Sequence, residues 1–366
     1  MIRVKDITNY LEQSVPLSYQ EAYDNAGLLV GEPTMVVRGV LICLDVKESI
    51  IEEARQQGCN LIISHHPIIF QGIKRITGAT YVERCMIQAI QYQIAIYAMH
   101  TNLDNIAEGT NQCIAEQLGL QARRLLLPKQ HTLRKLTTYV PADAVEQVRN
   151  ALHQAGAGHI GNYTHCSFSS VGMGTFLSNE LANPSMGQQG MLEKVIEHKL
   201  EVVYPSYLST SIVASLQQAH PYEEVAYQIQ NVENTNDQVG AGMIGELAQP
   251  LDTPSFLRYL QDKMRLTCIR HSAPISKPIK KVALCGGAGI HLLPEAIQQR
   301  ADAFVTADVK YHNFFNVEGK LLLADIGHYE SEVAIKGLIY SKLSKKFSNI
   351  ACVESVTQTN PVYYFL

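Results

Sequence analysis

Short runs of consecutive apolar residues, each followed by an amphipathic stretch, recur at both ends of the chain. In the first segment, to about Arg124, Val40–Leu44, Leu61–Ser64 and Ile94–Met99 read as buried strands. Helices are predicted over Glu48–Gln57, Tyr81–Tyr92 and Asn111–Leu118, and the opening MIRVKDITNYLEQ reads as a surface helix. The last segment, from about Pro274, repeats this pattern. Val282–Cys285, Ala303–Thr306, Leu321–Ala324 and Ala351–Val356 read as strands, and Leu292–Gln299 as a helix. One long helix is predicted from about Tyr329 to Lys345, with Ala334, Ile335, Leu338, Ile339 and Leu343 as its apolar stripe. Apolar strands alternating with helices predict an α/β fold with a largely parallel sheet covered on both faces.

Between these segments the texture changes. Leu133–Val140, Leu200–Tyr204 and Glu224–Gln230 read as strands, and Asp143–Gln154 and Ser209–Gln218 as helices. A polar stretch rich in Gly, Ser and Asn runs from Gly156 to Gly190. The order of elements suggests a ferredoxin-like α+β insert over 130–238, splitting an outer domain of 1–129 and 239–366.

The 366 residues allow two domains or one elaborated domain. Apolar residues make up 46% and charged residues 17%, so the chain can fill cores and is not of disordered type. A net charge of −4 gives no support to a general nucleic-acid surface. The sequence has neither a signal-peptide pattern at its start nor an apolar run long enough for a membrane span. None of the eight cysteines forms a CxxC pair, and several lie in strand-like runs such as VLICLDV. Buried free thiols and a cytoplasmic location are expected.

The candidate chemistry lies where strands end. Leu61–Ser64 runs directly into His65-His66-Pro67, and the next strand runs into His100-Thr101-Asn102-Leu103-Asp104. In the last segment Asp325-Ile326-Gly327 leads to His328 and Glu332, four residues apart on one helical face. Open parallel sheets bind ligands beyond their strand C-termini. Three imidazoles and two carboxylates suit Zn, Mn or divalent Fe better than Ca or Mg. Five ligands exceed what one open catalytic zinc takes and suit two ions about 3.5–4 Å apart. Scattered surface polar residues are the competing reading. Asp45 either supports a ligand or caps the next helix. Gly286-Gly287-Ala288-Gly289 either cradles a phosphate or makes a tight turn beside the centre. It has neither the GxGxxG spacing nor the Lys-Ser/Thr of a P-loop.

These residues resemble the NIF3-like (DUF34) family, whose members carry the name GTP cyclohydrolase 1 type 2 homolog. The resemblance rests on Glu21–Leu28 (EAYDNAGL), Ile63–Phe70 (ISHHPIIF), His100–Asp104 (HTNLD), Cys285–Gly289 (CGGAG), Thr306–His312 (TADVKYH) and Asp325–Glu332. Tyr23 stands where tryptophan is common in the family, and Ala307 where glycine is common. The resemblance implies two metal ions held by His65, His66, Asp104, His328 and Glu332. Gly161–Phe168, Ala182-Asn183-Pro184 and His220–Glu224 resemble the PII/CutA-like insert of longer members. A hexameric ring with metal sites facing an internal cavity is implied in the same way.

The expected activity is hydrolysis dependent on two divalent ions, with His100, Asp308 or His312 moving protons. The family name implies a purine nucleotide as substrate, opened at the imidazole carbon of guanine with release of formate. Another phosphorylated compound is equally compatible. The alternative is a non-enzymatic metal-binding regulator or scaffold whose insert senses a ligand or binds a partner. A homo-oligomer is expected, with no membrane partner and no nucleic acid. Asp24 and Asn25 read as a loop packed near the cavity. His220 with Glu223 and Glu224 reads as a strand start carrying a solvated acidic pair.

Overall fold

The computed structural model describes residues 1–365. The chain forms two compact units. One comprises Met1–Pro128 and the chain from Asp237 onward, the other Lys129–Asn236.

The first unit contains two sheets. One has the order Gly27–Val30, Ala95–Ala98, Leu61–Ser64, Gly39–Cys43, Ala351–Glu354, parallel throughout except for its first strand. Its apolar runs are continuous because both faces are buried. Val40, Ile42, Leu61 and Ile63 enter one core, while Leu41, Cys43, Ile62 and Ile96 enter another. Each of the valine, leucine and isoleucine side chains contributes about 1.5–3 kcal/mol when fully buried.

The second sheet has the order Arg270–His271, Leu322–Asp325, Ala303–Thr306, Ile279–Leu284, Gly240–Leu251, Gln121–Pro128. Its middle three of these, from Leu322–Asp325 to Ile279–Leu284, are parallel. The long antiparallel strands Gly240–Leu251 and Gln121–Pro128 are absent from the elements that hydrophobic pattern predicts. The two halves of the chain exchange strands: Gln121–Pro128 joins the second sheet, and Ala351–Glu354 the first.

The long helix expected from Tyr329 is two helices, His328–Glu332 and Ile335–Lys346. The first carries the residues facing the centre, whereas Ile335, Ile339 and Leu343 of the second pack into the first sheet's core. A turn at Val333 and Ala334 separates the two helices.

The second unit has a four-stranded antiparallel sheet in the order Phe168–Leu177, Leu192–Pro205, Leu133–Pro141, Tyr227–Asn231. Helices Val145–Gln154 and Ser209–Ala219 pack on one face over Leu136, Val140, Leu200 and Val202. Phe168–Leu177 lies within the stretch that composition marks as polar loop. It is an edge strand with no fully buried residue, so no apolar run announces it.

No helix among the described residues is long and apolar enough to cross a membrane. Cys43, Cys59, Cys85 and Cys285 are buried and the other four partly buried, all as free thiols.

Candidate metal centre

Parallel pairing aligns the ends of neighbouring strands. Ser64 pairs with Ala98, and Thr306 with Asp325, so the loops that follow emerge side by side. His65 and His66 leave one strand, Met99 and His100 the next, and His328 begins the helix after Asp325. The chain thereby brings residues 262 positions apart into contact: the Nε2 atoms of His66 and His328 are 3.3 Å apart.

Each imidazole is held from behind through Nδ1. His65 donates to the Met99 carbonyl at 2.8 Å. His66 donates to Asp45 Oδ1 at 2.7 Å, His100 to Asp24 Oδ1 at 2.6 Å, and His328 to Asp308 Oδ2 at 2.8 Å. Protonation at Nδ1 leaves the Nε2 lone pair as the outward donor, which is how proteins prepare histidine to bind metal.

What those atoms face decides the character of the site. Glu332 Oε2 lies 3.0 Å from His66 Nε2, 3.1 Å from His328 Nε2 and 3.8 Å from His65 Nε2. Asp104 Oδ1 is 3.6 Å from His65 Nε2. His65 Nε2, Asp104 Oδ1 and Glu332 Oε2 are all buried without a hydrogen-bond partner. Three buried lone-pair-bearing atoms converging without donors are costly unless a cation or protons lie among them. His65, His66 and Glu332 offer ligand atoms all within 4.8 Å of one another, the spacing a bound ion requires. The donor set, imidazole with carboxylate, fits a divalent transition ion.

The electrostatics agree. Burial lowers the basicity of His66, but Asp45 and Glu332 more than offset it and raise its pKa to about 10. His328 is likewise raised, against burial, to about 9 by Glu332 and Asp308. His65 moves upward against burial through Asp104 and Glu332. Burial pushes Glu332 up, yet the three imidazoles pull it well below the ordinary carboxylate range. Asp104 is pushed upward by burial and by Glu332, against the pull of His65. The centre attracts positive charge from every side.

The glycine segment makes the turn rather than a phosphate cradle. Gly286 N donates to Asn111 Oδ1, Gly287 N to Ser331 Oγ, and Gly289 N to Thr306 Oγ1. Those amides are already committed to the protein. Gly287 has φ +58°, and a Cβ there would sit 2.4 Å from Glu332 Oε1. Its lack of a side chain makes room for the central carboxylate. Asp308 also has a positive φ, +54°, a conformation that aspartate tolerates, and its carboxylate reaches His328 from there.

Sequence reasoning underread the support behind the histidines. Asp24 does more than pack a loop: it accepts from His100, from Thr101 N at 3.0 Å and from the Thr101 hydroxyl. Burial would raise its pKa, but these donors hold it at about 2. Asp45 supports His66 and does not cap the following helix, whose N-cap is Lys47. The Thr359 hydroxyl donates to Asp45 Oδ2 at 2.6 Å, and Lys47 Nζ donates to the Thr359 carbonyl. Nothing local in the sequence marks Thr359, since its partner lies 314 residues away. His100 packs its ring 5.5 Å from both His65 and His66. His312 is not part of this network: it is exposed and stacks beside Tyr311 and Phe315.

An α/β unit whose parallel strand ends gather imidazoles and a central carboxylate defines a candidate metal-binding protein. The chain matches Duf34/NIF3 (NGG1p interacting factor 3) over residues 2–361, and it belongs to that family. A Bacillus subtilis protein named GTP cyclohydrolase 1 type 2 homolog is 37% identical over 362 residues, spanning 98% of this chain and 97% of the relative. A Halalkalibacterium halodurans protein of the same name is 36% identical, spanning 97% of both chains. The crystal structure of a Bacillus cereus protein related to NIF3 superposes with a TM-score of 0.87 at 34% identity, covering 100% of this chain and 99% of that one.

Proposed function

We propose that the chain is a metal-dependent hydrolase, with two divalent ions held by His65, His66, Asp104, His328 and Glu332. The observation that carries this reading is the convergence of these side chains on buried atoms of His65, Asp104 and Glu332 that make no hydrogen bond in the chain, with the His66 and His328 Nε2 atoms 3.0 and 3.1 Å from Glu332 Oε2. Zn, Mn or Fe in such a site supplies Lewis-acid polarisation and a water acidic enough to attack at neutral pH. The chain's own residues do the rest. Asp24 fixes the His100 ring beside the histidine pair, where it can accept and release a proton. Asp308 is engaged with His328, which favours a positioning role over proton transfer. His312 is assigned no step.

The name of the relatives supports a purine nucleotide as substrate, with ring opening and formate release. The antiparallel order of the second unit, with its two helices on one face, supports a ferredoxin-like insert. A homo-oligomeric ring rests on the family resemblance alone. Free thiols throughout are in keeping with a cytoplasmic protein.

The test is metal analysis of gently purified protein, then metal add-back with a panel of nucleotides and phosphoesters. Formate release or phosphoester cleavage that needs the added metal supports the reading. Stoichiometric metal with no turnover of any panel member, while substrate analogues bind elsewhere, argues for the non-enzymatic alternative. Metal-free protein that takes up none on titration sinks both.

A further inference from the structure

Two glycines in an edge strand open a second site, within Lys129–Asn236 and remote in sequence from every ligand discussed above. The helices of this unit cover one face of its sheet. The opposite face carries Tyr139, Glu197 and Lys199, which alternate with the core residues Val140, Leu200 and Val202. Gly172 pairs with Glu197 across the strands, and Gly174 is its neighbour on the same face. A Cβ at Gly174 would lie 2.0 Å from Glu197 Oε2. Without those side chains the Glu197 carboxylate lies along the sheet, and glycine in a strand interior commonly marks a close approach by a ligand. The segment from Ala182 to Met186 and residues Tyr222–Glu224 complete a cleft of about 580 Å³. Asn183 N donates to Glu223 Oε2 at 2.9 Å, tying these two walls together.

The lining states what the cleft would hold. Phe176, which shares the face of Gly172 and Gly174, joins Met186 and the Tyr139 ring in an apolar, adaptable wall. The charged lining groups are Glu197, Glu223, Glu224 and Lys199. Lys199 Nζ lies 3.0 Å from Glu201 Oε1, a carboxylate oxygen that Lys135 Nζ also engages at 3.0 Å, so Lys199 is only partly compensated. Glu197 accepts from the Tyr222 hydroxyl at 2.9 Å, a neutral donor. Among the described residues none of the three glutamates has an ion pair with a lysine, arginine or histidine. Three carboxylates without an ion pair against one lysine leave the largely apolar cleft with an excess of negative charge, which disfavours anions and favours a cation.

We propose that this cleft binds an organic cation, a protonated amine carried on an apolar body. The amine docks against Glu197, with Glu223 and Glu224 at the rim, and the body lies along Phe176 and Met186. None of the cleft's lining residues is a proposed metal ligand, so an effect of the amine on turnover is not needed for the assignment.

Three probes of one shape separate charge from hydrophobicity: 4-phenylbutylamine, 4-phenylbutanol and 4-phenylbutyrate. Calorimetry on the full-length chain should rank amine above alcohol above carboxylate. Glu197→Gln should weaken the amine about tenfold or more, the loss expected for one charge-assisted hydrogen bond, and leave the alcohol unchanged. The chain contains no tryptophan, so Phe176→Trp places a single fluorescent reporter in the wall. Its emission should shift with the amine, and Met186→Trp serves if that variant does not fold. Equal binding of amine and carboxylate overturns the proposal. So does amine binding that survives Glu197→Gln, or the absence of both heat and emission change up to the solubility of the amine.

Discussion

His66 and His328 meet through their Nε2 atoms at 3.3 Å, with Glu332 Oε2 3.0 Å from one and 3.1 Å from the other. Each imidazole is fixed by its own aspartate, so neither can turn away to relieve the crowding. The arrangement makes Glu332 the hub. Asp104, by contrast, approaches only His65 among the histidines, at 3.6 Å. Glu332→Gln should therefore abolish binding of both ions, whereas Asp104→Asn should weaken both through lost charge but leave one detectable. Metal per chain, measured by mass spectrometry after equilibrium dialysis of folded protein, checks this. Wild-type stoichiometry in Glu332→Gln would remove it from the hub.

Thr359 acts on the centre only through Asp45. Thr359→Val keeps the shape and removes the hydroxyl that donates to Asp45 Oδ2. Loss of such an outer partner should lower metal affinity about 10-fold, the low end for groups that orient metal-bound histidines. Thr359→Ser should restore it. Competition with a chromophoric chelator gives both values, and equal affinities for valine and wild type would remove Thr359 from the support of His66.

Gly287→Ala tests whether the glycine segment makes room for Glu332. The substitution meets both a φ of +58° and a Cβ contact of 2.4 Å with Glu332 Oε1. Gly319 has a similar φ, +69°, but open space around it, so Gly319→Ala isolates the backbone cost, about 1–2 kcal/mol. Both variants should lose that stability in urea unfolding, but only Gly287→Ala should also lose metal. Retained metal in Gly287→Ala would mean that the carboxylate has another place to go.

Glu53 ties the chain beyond the last strand to the helix Glu48–Gln56. Its carboxylate accepts from the Ser355 hydroxyl at 2.6 Å and from Val356 N at 2.9 Å. Burial would raise its pKa, but these donors, with Thr357, lower it. A depressed folded pKa contributes stability that is complete above the unfolded value, about 4.3, and is lost as pH falls through the folded value. Glu53→Gln should thus cost about 1 kcal/mol at pH 7 and progressively less toward pH 3, a convergence that urea titrations at several pH values would reveal. A constant difference across that range would mean the charge contributes nothing.

The parts of the fold legible in the sequence are those whose physics is local. Leu61–Ser64 is buried on both faces, so it must be an unbroken apolar run, and the polar residues that end it stand at the sheet edge. His65 and His66 are readable for that reason. Phe168–Leu177 is an edge strand with glycine where a ligand face would otherwise carry side chains, so its pattern resembles a loop. The break after Glu332 is hidden because it takes only the two residues Val333 and Ala334, and the apolar stripe that follows belongs to the second helix alone, the first burying the polar Ser331 and Glu332. Asp24, Asp45 and Thr359 hold histidines through contacts spanning 76, 21 and 314 residues, and no periodicity records such pairings.

The exchange of strands between the two halves sets an order in time. While the chain is being synthesised, His65 and His66 appear early, but the first sheet lacks its Ala351–Glu354 edge until almost the whole sequence exists. His66 likewise waits for Thr359 to complete the brace behind Asp45. A nascent chain therefore carries His66 without its complete brace for most of its synthesis. Glu332 and His328 are made later than the histidine pair by 262 residues or more, so a chain cut between the two has His65 and His66 without the carboxylate on which they converge.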